Sequence, residues 1–84
     1  RQLAMELAPA VRVNAVAPGP VMPPESYSPA KIKRTAEKTL LNRWGSAEDV
    51  AGAVVFLSQA DYITGDVIAV DGGERFGHRK HEAG

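Results

Sequence analysis

Apolar residues recur at two different periods along the chain, and each change of period marks an element. Leu3, Ala4, Leu7 and Ala8 fall at helical spacing, so Arg1 to Ala8 reads as helix, closed by Pro9. No Ser, Thr, Asp or Asn precedes it as a cap and residue 1 is Arg, which fits a chain that enters in mid-helix. Val11 to Ala17, VRVNAVA, is valine-rich and bounded by prolines, a strand pattern. Pro18-Gly19-Pro20 is expected to end that strand, because proline has no ladder donor and glycine frees the backbone. A proline-rich loop, Met22 to Tyr27, comes next. Ser28-Pro29 is a helix start, cap followed by first-turn proline. Ile32, Ala36 and Leu40 then place a narrow apolar stripe on an otherwise charged helix predicted over Pro29 to Leu41.

Gly45 closes this region. Ser46 and Asp49 have the spacing of a capping box, and Glu48 and Asp49 suit the positive end of a helix dipole. Val50, Val54 and Leu57 mark the buried face of a helix from Ala47 to about Ser58. Tyr62-Ile63-Thr64-Gly65 connects to a second strand, Val67 to Val70, which the Asp71-Gly72-Gly73 turn stops. The polar, basic segment 74–84 is expected to be a disordered tail.

The order helix, strand, lid helix, helix, strand is that of an α/β fold. Both strands are nearly continuous apolar runs, as in strands covered on both faces of a parallel sheet, and the helix between them serves as a crossover. Two short strands cannot bury a core, since each needs neighbours and covering helices. The pattern therefore describes one edge of a larger, doubly wound parallel sheet.

Charge and composition exclude several function classes. Ten basic side chains balance ten acidic ones, so no global field draws in nucleic acid or an anionic membrane, and neither is expected as a partner. The absence of cysteine removes disulfides, thiolate nucleophiles and zinc–thiolate sites, and it suits the cytoplasm. The longest apolar runs, Ala53 to Leu57 and Val67 to Val70, are core-sized rather than membrane-spanning. His78 and His81 stand in a charged segment without neighbouring ligands, so no metal is expected.

Pro18, Gly19, Pro20 and Val21 are the best candidates for a binding role. They lie just past the carboxyl end of a strand, where open α/β sheets bind ligands. Glycine there allows close approach to a flat ring and the prolines stiffen the turn. Tyr27-Ser28-Pro29-Ala30-Lys31 spells Tyr-x-x-x-Lys, a pattern in which a lysine one helical turn away activates a phenol. Here Ser28 is the cap and Pro29 the first turn, which leaves Tyr27 outside the helix as a lid residue, with Met22 at the lid's start. Asn14 is expected to bond structurally within its strand, Trp44 to pack its loop, and Arg43 to pair with a carboxylate or remain solvated. Asp71-Gly72-Gly73 fails the Gly-x-Gly-x-x-Gly register, because Arg75 stands where the second glycine belongs.

Five segments, in order, resemble the short-chain dehydrogenase/reductase family: LAMELAP (3–9), VRVNAVAPGPV (11–21), LLNRWGSAEDVA (40–51), FLSQADYITGDV (56–67) and VDGG (70–73). Pro18 to Glu25 and Arg43-Trp44-Gly45 are most similar to pteridine reductase-like members, and 3-oxoacyl-carrier-protein reductases carry similar text. The resemblance implies that residues 1–73 are the C-terminal part of a Rossmann-type, doubly wound parallel sheet with a lid region at 22–42. It implies NADP or NAD as cofactor, with the backbone near Val21 meeting the nicotinamide carboxamide. It also implies a small-molecule carbonyl- or pteridine-like substrate and a homo-oligomer, dimer or tetramer. The family's catalytic serine and Tyr-x-x-x-Lys pair would precede Arg1, so no catalytic residue is expected in these 84 residues and the chain alone is expected to be inactive. Many members have threonine where this chain has Pro23, which offers neither hydroxyl nor N–H. The alternative is a non-catalytic interaction or oligomerisation fragment.

Overall fold

The computed structural model of the chain describes residues 1–80. Its elements are α1 (Gln2–Leu7), β1 (Ala15–Pro18), α2 (Pro29–Glu37), α3 (Ala47–Gln59), β2 (Val67–Val70) and a C-terminal 3₁₀ helix (Glu74–Arg79). β1 and β2 pair in parallel, Ala15 with Val67 through Pro18 with Val70, and α3 crosses between them and packs on both. This is the α/β crossover unit that the strand composition implies.

Two boundaries differ from the sequence-based expectation, each for a local reason. The strand starts at Ala15 rather than Val11, because Val13 and Asn14 spend their hydrogen bonds on the 63–66 connector instead of a ladder. The Val13 amide donates to Thr64 Oγ1 at 3.0 Å, and its carbonyl accepts from the Gly65 amide at 2.8 Å. At its other end the strand includes Pro18. Ala15 and Gly19 donate to Asp66 and Val70 carbonyls at 2.9 and 3.0 Å, so alternate amides, those of odd-numbered residues, face β2. Pro18 falls on the opposite register, where the missing N–H breaks no rung.

α2 also ends early, at Glu37 instead of Leu41. Thr39 is fully buried, and its hydroxyl donates to the Ala36 carbonyl at 2.8 Å while accepting from the Arg43 amide at 3.2 Å, folding the chain back on itself. α3 matches its predicted cap: Ser46 Oγ accepts from the Asp49 amide and Asp49 Oδ2 from the Ser46 amide at 2.8 Å. Segment 74–79, expected as a disordered tail, instead forms a 3₁₀ helix. The Asp71 carboxylate starts it by accepting from the Gly73 and Arg75 amides at 2.9 and 3.2 Å. His81 lies outside the described residues.

Little apolar surface is buried within the chain. Among the described residues the buried apolar side chains are Ala4 and Leu57, and Val54, expected on the inner face of α3, is half exposed. Val16 faces α3 in a cleft lined by Arg12, Asn14, Val54 and Leu57. Alternation then turns Ala15, Ala17 and the 60% exposed Val67 to the uncovered face of the sheet. The accessible surface is 6365 Å², against about 4,800 Å² for a compact chain of this size. The radius of gyration is 15.8 Å, against about 12 Å. α1 carries Met5 at 74% exposure, and α3 carries Val55 and Phe56 at just over half, so both helices present apolar faces that this chain does not cover. Among the described residues, no helix is long and apolar enough to cross a membrane.

Candidate functional site

The candidate turn follows β1 directly. Pro20 O accepts from the Gly45 amide at 2.8 Å, and Val21 forms a parallel bridge with Gly45. A trans peptide holds its C=O and N–H on opposite sides, so with Pro20 C=O aimed at Gly45 the Val21 N–H points away from it. The bridge register turns Val21 C=O the same way. One donor and one acceptor thus lie side by side on the edge of the chain, a pattern matched to a primary carboxamide, which has one acceptor oxygen and an NH₂ donor.

Gly19 has a different reason for being glycine. A Cβ there would lie 2.7 Å from both Cα and Cβ of Asp71 and 3.2 Å from its carbonyl oxygen. The residue is small because the turn after β2 presses against it. Sequence reasoning assigned this glycine to the approach of a ring; packing inside the chain already accounts for it.

Segment 22–42, expected as a lid, is bracketed by two non-glycine residues in left-handed backbone, Met22 (φ 56°) and Asn42 (φ 59°). Asparagine tolerates this conformation, whereas methionine is strained in it by about 1 kcal/mol or more. Such strain at the ends of a segment suits hinge positions. Between them, the Tyr27 amide donates to the Pro24 carbonyl at 3.0 Å in a tight turn, and Ser28 caps α2 by accepting from the Lys31 amide. Tyr27 sits edge-on to Trp44, ring centroids 6.0 Å apart, and the Lys31 ammonium stands 4.2 Å over the Tyr27 ring. A cation over the ring face stabilises packing and does not place its charge at the phenol oxygen. The Tyr27–Lys31 pair is therefore a packing contact. Trp44 Nε1 donates to the Ile32 carbonyl at 3.0 Å and ties the 43–45 loop to α2.

A cleft of about 380 Å³ is lined by Pro20, Leu40, Arg43, Gly45, Asp49 and residues 69–73. It reaches only Pro20 of the four turn residues, so the open edge of Val21 and this cleft are separate features. On its wall Arg43 Nη1 pairs with Asp49 Oδ2 at 3.2 Å and donates to the Trp44 carbonyl at 2.9 Å. Among the described residues no cluster of three or more potential metal ligands occurs.

Asp49 and Asp71 both titrate below the ordinary value of 3.8, Asp49 mainly through the Ser46 amide and then Arg43, Asp71 mainly through the Gly73 amide. A carboxylate depressed in the folded state contributes stability that is present above its unfolded value and lost as pH falls through the folded one. Helicity measured by far-UV circular dichroism is therefore expected to hold down to about pH 4 and to fall below it. Asp49→Ala should lower helicity at neutral pH and flatten this acid limb, and an unchanged limb would assign the transition to other groups.

Four contributors carry no obvious sequence signal. Arg12 reaches the carbonyls at the end of α3, and Thr39 anchors the turn after α2. Asn14 bridges the connector, donating to the Ile63 carbonyl at 2.9 Å and accepting from the Asp66 amide at 3.0 Å, so its expected structural role is observed while its partners were not legible. Lys80 lies in the segment read as a tail. Arg12, Asn14 and Lys80 act on residues far away in sequence, whereas Thr39 bonds Ala36 and Arg43 close by.

A family model described as enoyl-(acyl carrier protein) reductase matches residues 1–74. A ketoacyl reductase of granaticin polyketide synthesis from Streptomyces violaceoruber is 46% identical over 78 residues, covering 87% of this chain and 31% of that protein. The short-chain dehydrogenase/reductase SDRA of Arabidopsis thaliana is 44% identical over 81 residues, covering 87% of this chain and again 31% of the relative. Among solved structures, the FolM alternative dihydrofolate reductase 1 of Brucella suis, in complex with NADP, superposes with a TM-score of 0.81 at 39% identity. It covers 90% of this chain, which in turn covers 31% of it. The chain thus spans about a third of the length of the proteins it matches.

Proposed function

The chain belongs to the short-chain dehydrogenase/reductase family, and from that premise we propose that it supplies the nicotinamide-side turn, the substrate lid and the oligomer contacts of an NAD(P)-dependent reductase. The observation that carries this reading is the free edge of Val21, whose N–H and C=O both turn away from Gly45. Bound NADP or NAD would supply hydride to a carbonyl or imine-like carbon of a small-molecule substrate. Pro18, Gly19, Pro20 and Val21 hold the carboxamide end in a fixed orientation, which selects the ring face presented to substrate. Met22 begins the lid and Tyr27 lines it. Closure about Met22 and Asn42 excludes water from the reacting carbon.

The proton donor is not Tyr27, since Lys31 covers its ring instead of its oxygen. A tyrosine upstream of Arg1 fills that role in this proposal, and these 84 residues alone do not turn over substrate. A carbonyl- or pteridine-like substrate is favoured by the ketoacyl reductase and FolM relatives. The cytoplasm is the proposed compartment, and the uncovered faces of α1 and α3 support assembly into a dimer or tetramer. Those same faces favour the second reading, a non-catalytic interaction fragment.

The test is to express the complete reading frame that contains this chain and follow reduced-nicotinamide absorbance with ketone and dihydropteridine substrates. Activity is expected, and Val21→Pro, which deletes the N–H, should weaken NADPH binding about tenfold to a hundredfold, the worth of one or two buried hydrogen bonds. A frame without a glycine-rich turn and a Tyr-x-x-x-Lys pair upstream, or unaltered NADPH affinity in Val21→Pro, would refute the reading.

A further inference from the structure

α2 packs against no other helix or strand among the described residues, yet it is tied down at both ends. Trp44 holds its first half through the Ile32 carbonyl. Its carboxyl end is held by residues from the far end of the chain. The half-buried Lys80 ammonium donates to the Glu37 carbonyl at 2.8 Å, to the Thr39 carbonyl at 3.0 Å and to Asn42 Oδ1. Glu37 is the last residue of α2, so the first two acceptors lie where a helix leaves carbonyls unsatisfied and where its dipole favours a cation. The third is the side chain of Asn42, one of the left-handed residues that bracket the lid.

Backbone contacts reinforce these bonds. The Leu41 amide donates to the Gly72 carbonyl at 3.1 Å. A Cβ at Gly73 would meet the Leu40 side chain at 2.8 Å, and one at Gly77 would overlap the Lys38 carbonyl. Asp71 accepts from the Gly73 and Arg75 amides and so fixes the direction in which segment 74–80 leaves β2. Those two glycines leave room for the end of α2.

We propose that residues 71–80 form a strap that fixes the carboxyl end of the lid helix and its Asn42 hinge, with Lys80 as the positioning residue. Lys80 touches neither cofactor nor substrate. It acts by setting where the lid stands, and a reagent or modification that removes its positive charge frees the lid. The functional part of this inference rests on the proposed lid role of 22–42, whereas the strap itself is a matter of contacts.

Hydrogen exchange of the complete protein that contains this chain tests the strap without substrate. Lys80→Cys is expected to speed exchange of the Thr39, Leu41 and Asn42 amides roughly fivefold to tenfold, leaving the α3 amides unchanged. These 84 residues contain no cysteine, and with any cysteine elsewhere in the protein replaced, aminoethylation of Cys at this position rebuilds an ammonium of nearly the same reach. It should return exchange to the parent rates, whereas alkylating the same cysteine with a neutral group of equal length should not, which separates the charge from the length of the side chain. Rates at 39–42 that are unchanged in Lys80→Cys, or already at the free-peptide limit in the parent, overturn the proposal. Should Lys80→Cys also release α3, Asn42→Gly decides, because it keeps the left-handed backbone and deletes only the side-chain acceptor. Faster exchange confined to 37–42 supports the strap, and no change there sinks it. A lid that plays no part in substrate binding would leave all these rates as expected, and would show instead as an unaltered KM on substituting Tyr27 in the complete enzyme.

Discussion

Gly19→Ala is expected to lower the stability of the strand pair by about 2–4 kcal/mol, the cost of overpacking together with one lost hydrogen bond. The added methyl would stand 2.7 Å from two carbon atoms of Asp71, one of them backbone, so no side-chain rotation relieves it. The Gly19 amide also donates to the Val70 carbonyl at 3.0 Å, which fixes β1 against the end of β2. Either that bond breaks or the 71–73 turn moves, and the turn carries the Asp71 carboxylate that caps the 3₁₀ helix and the Gly72 carbonyl that receives the Leu41 amide. Gly52→Ala is the matched control. It lies inside α3 with nothing within 4 Å of a Cβ, and should stabilise by about 0.5–1 kcal/mol through helix propensity. Urea midpoints for the two variants are expected to move in opposite directions. If Gly19→Ala leaves the midpoint in place and weakens only NADPH binding in the complete enzyme, the glycine serves the ligand rather than the turn.

Elements set by local chemistry were legible in the sequence. Ser28-Pro29 and Ser46 with Asp49 mark helix starts that occur where their hydrogen-bonding chemistry puts them, because a cap acts on amides two or three residues away. The parallel pairing of the two valine-rich segments followed from their doubly apolar pattern. What was not legible depends on distant partners. Nothing in VRVNAVA says that Val13 and Asn14 bond the 63–66 connector, so the apolar pattern extends the strand before its true start. Nothing in TLLN says that Thr39 is buried, so the apolar stripe extends α2 past its true end. The polar segment after Glu74 has the composition of a tail, but Asp71 and Lys80 anchor it at both ends. In the candidate site, the turn's position after β1 was readable. The direction of the Val21 amide was not, since it depends on Gly45 accepting its place beside Pro20.

Arg12→Ala is expected to cost about 2–4 kcal/mol, because one side chain closes the carboxyl end of α3 and joins it to the strand that precedes it in the sheet. Arg12 Nη1 donates to the carbonyls of Leu57 and Ala60, each at 2.9 Å, and lies 3.4 Å from that of Ile63, while Nη2 donates to Ser58 at 3.1 Å. Carbonyls from the last turn of a helix carry the negative end of its dipole and have no partner within the helix, so a half-buried cation is stabilised there without a carboxylate. Guanidinium is suited to this task because its two terminal nitrogens diverge and can serve carbonyls on either side at once. Arg12→Lys should therefore recover only part of the loss, keeping the charge but not the fork. Hydrogen exchange at the Leu57 to Ala60 amides is the sharpest readout, with release expected there first and the Ser46 cap at the opposite end of α3 holding. Equal acceleration at both ends would mean that Arg12 stabilises the sheet as a whole. No acceleration at either end would show that water satisfies those carbonyls as well as the arginine does.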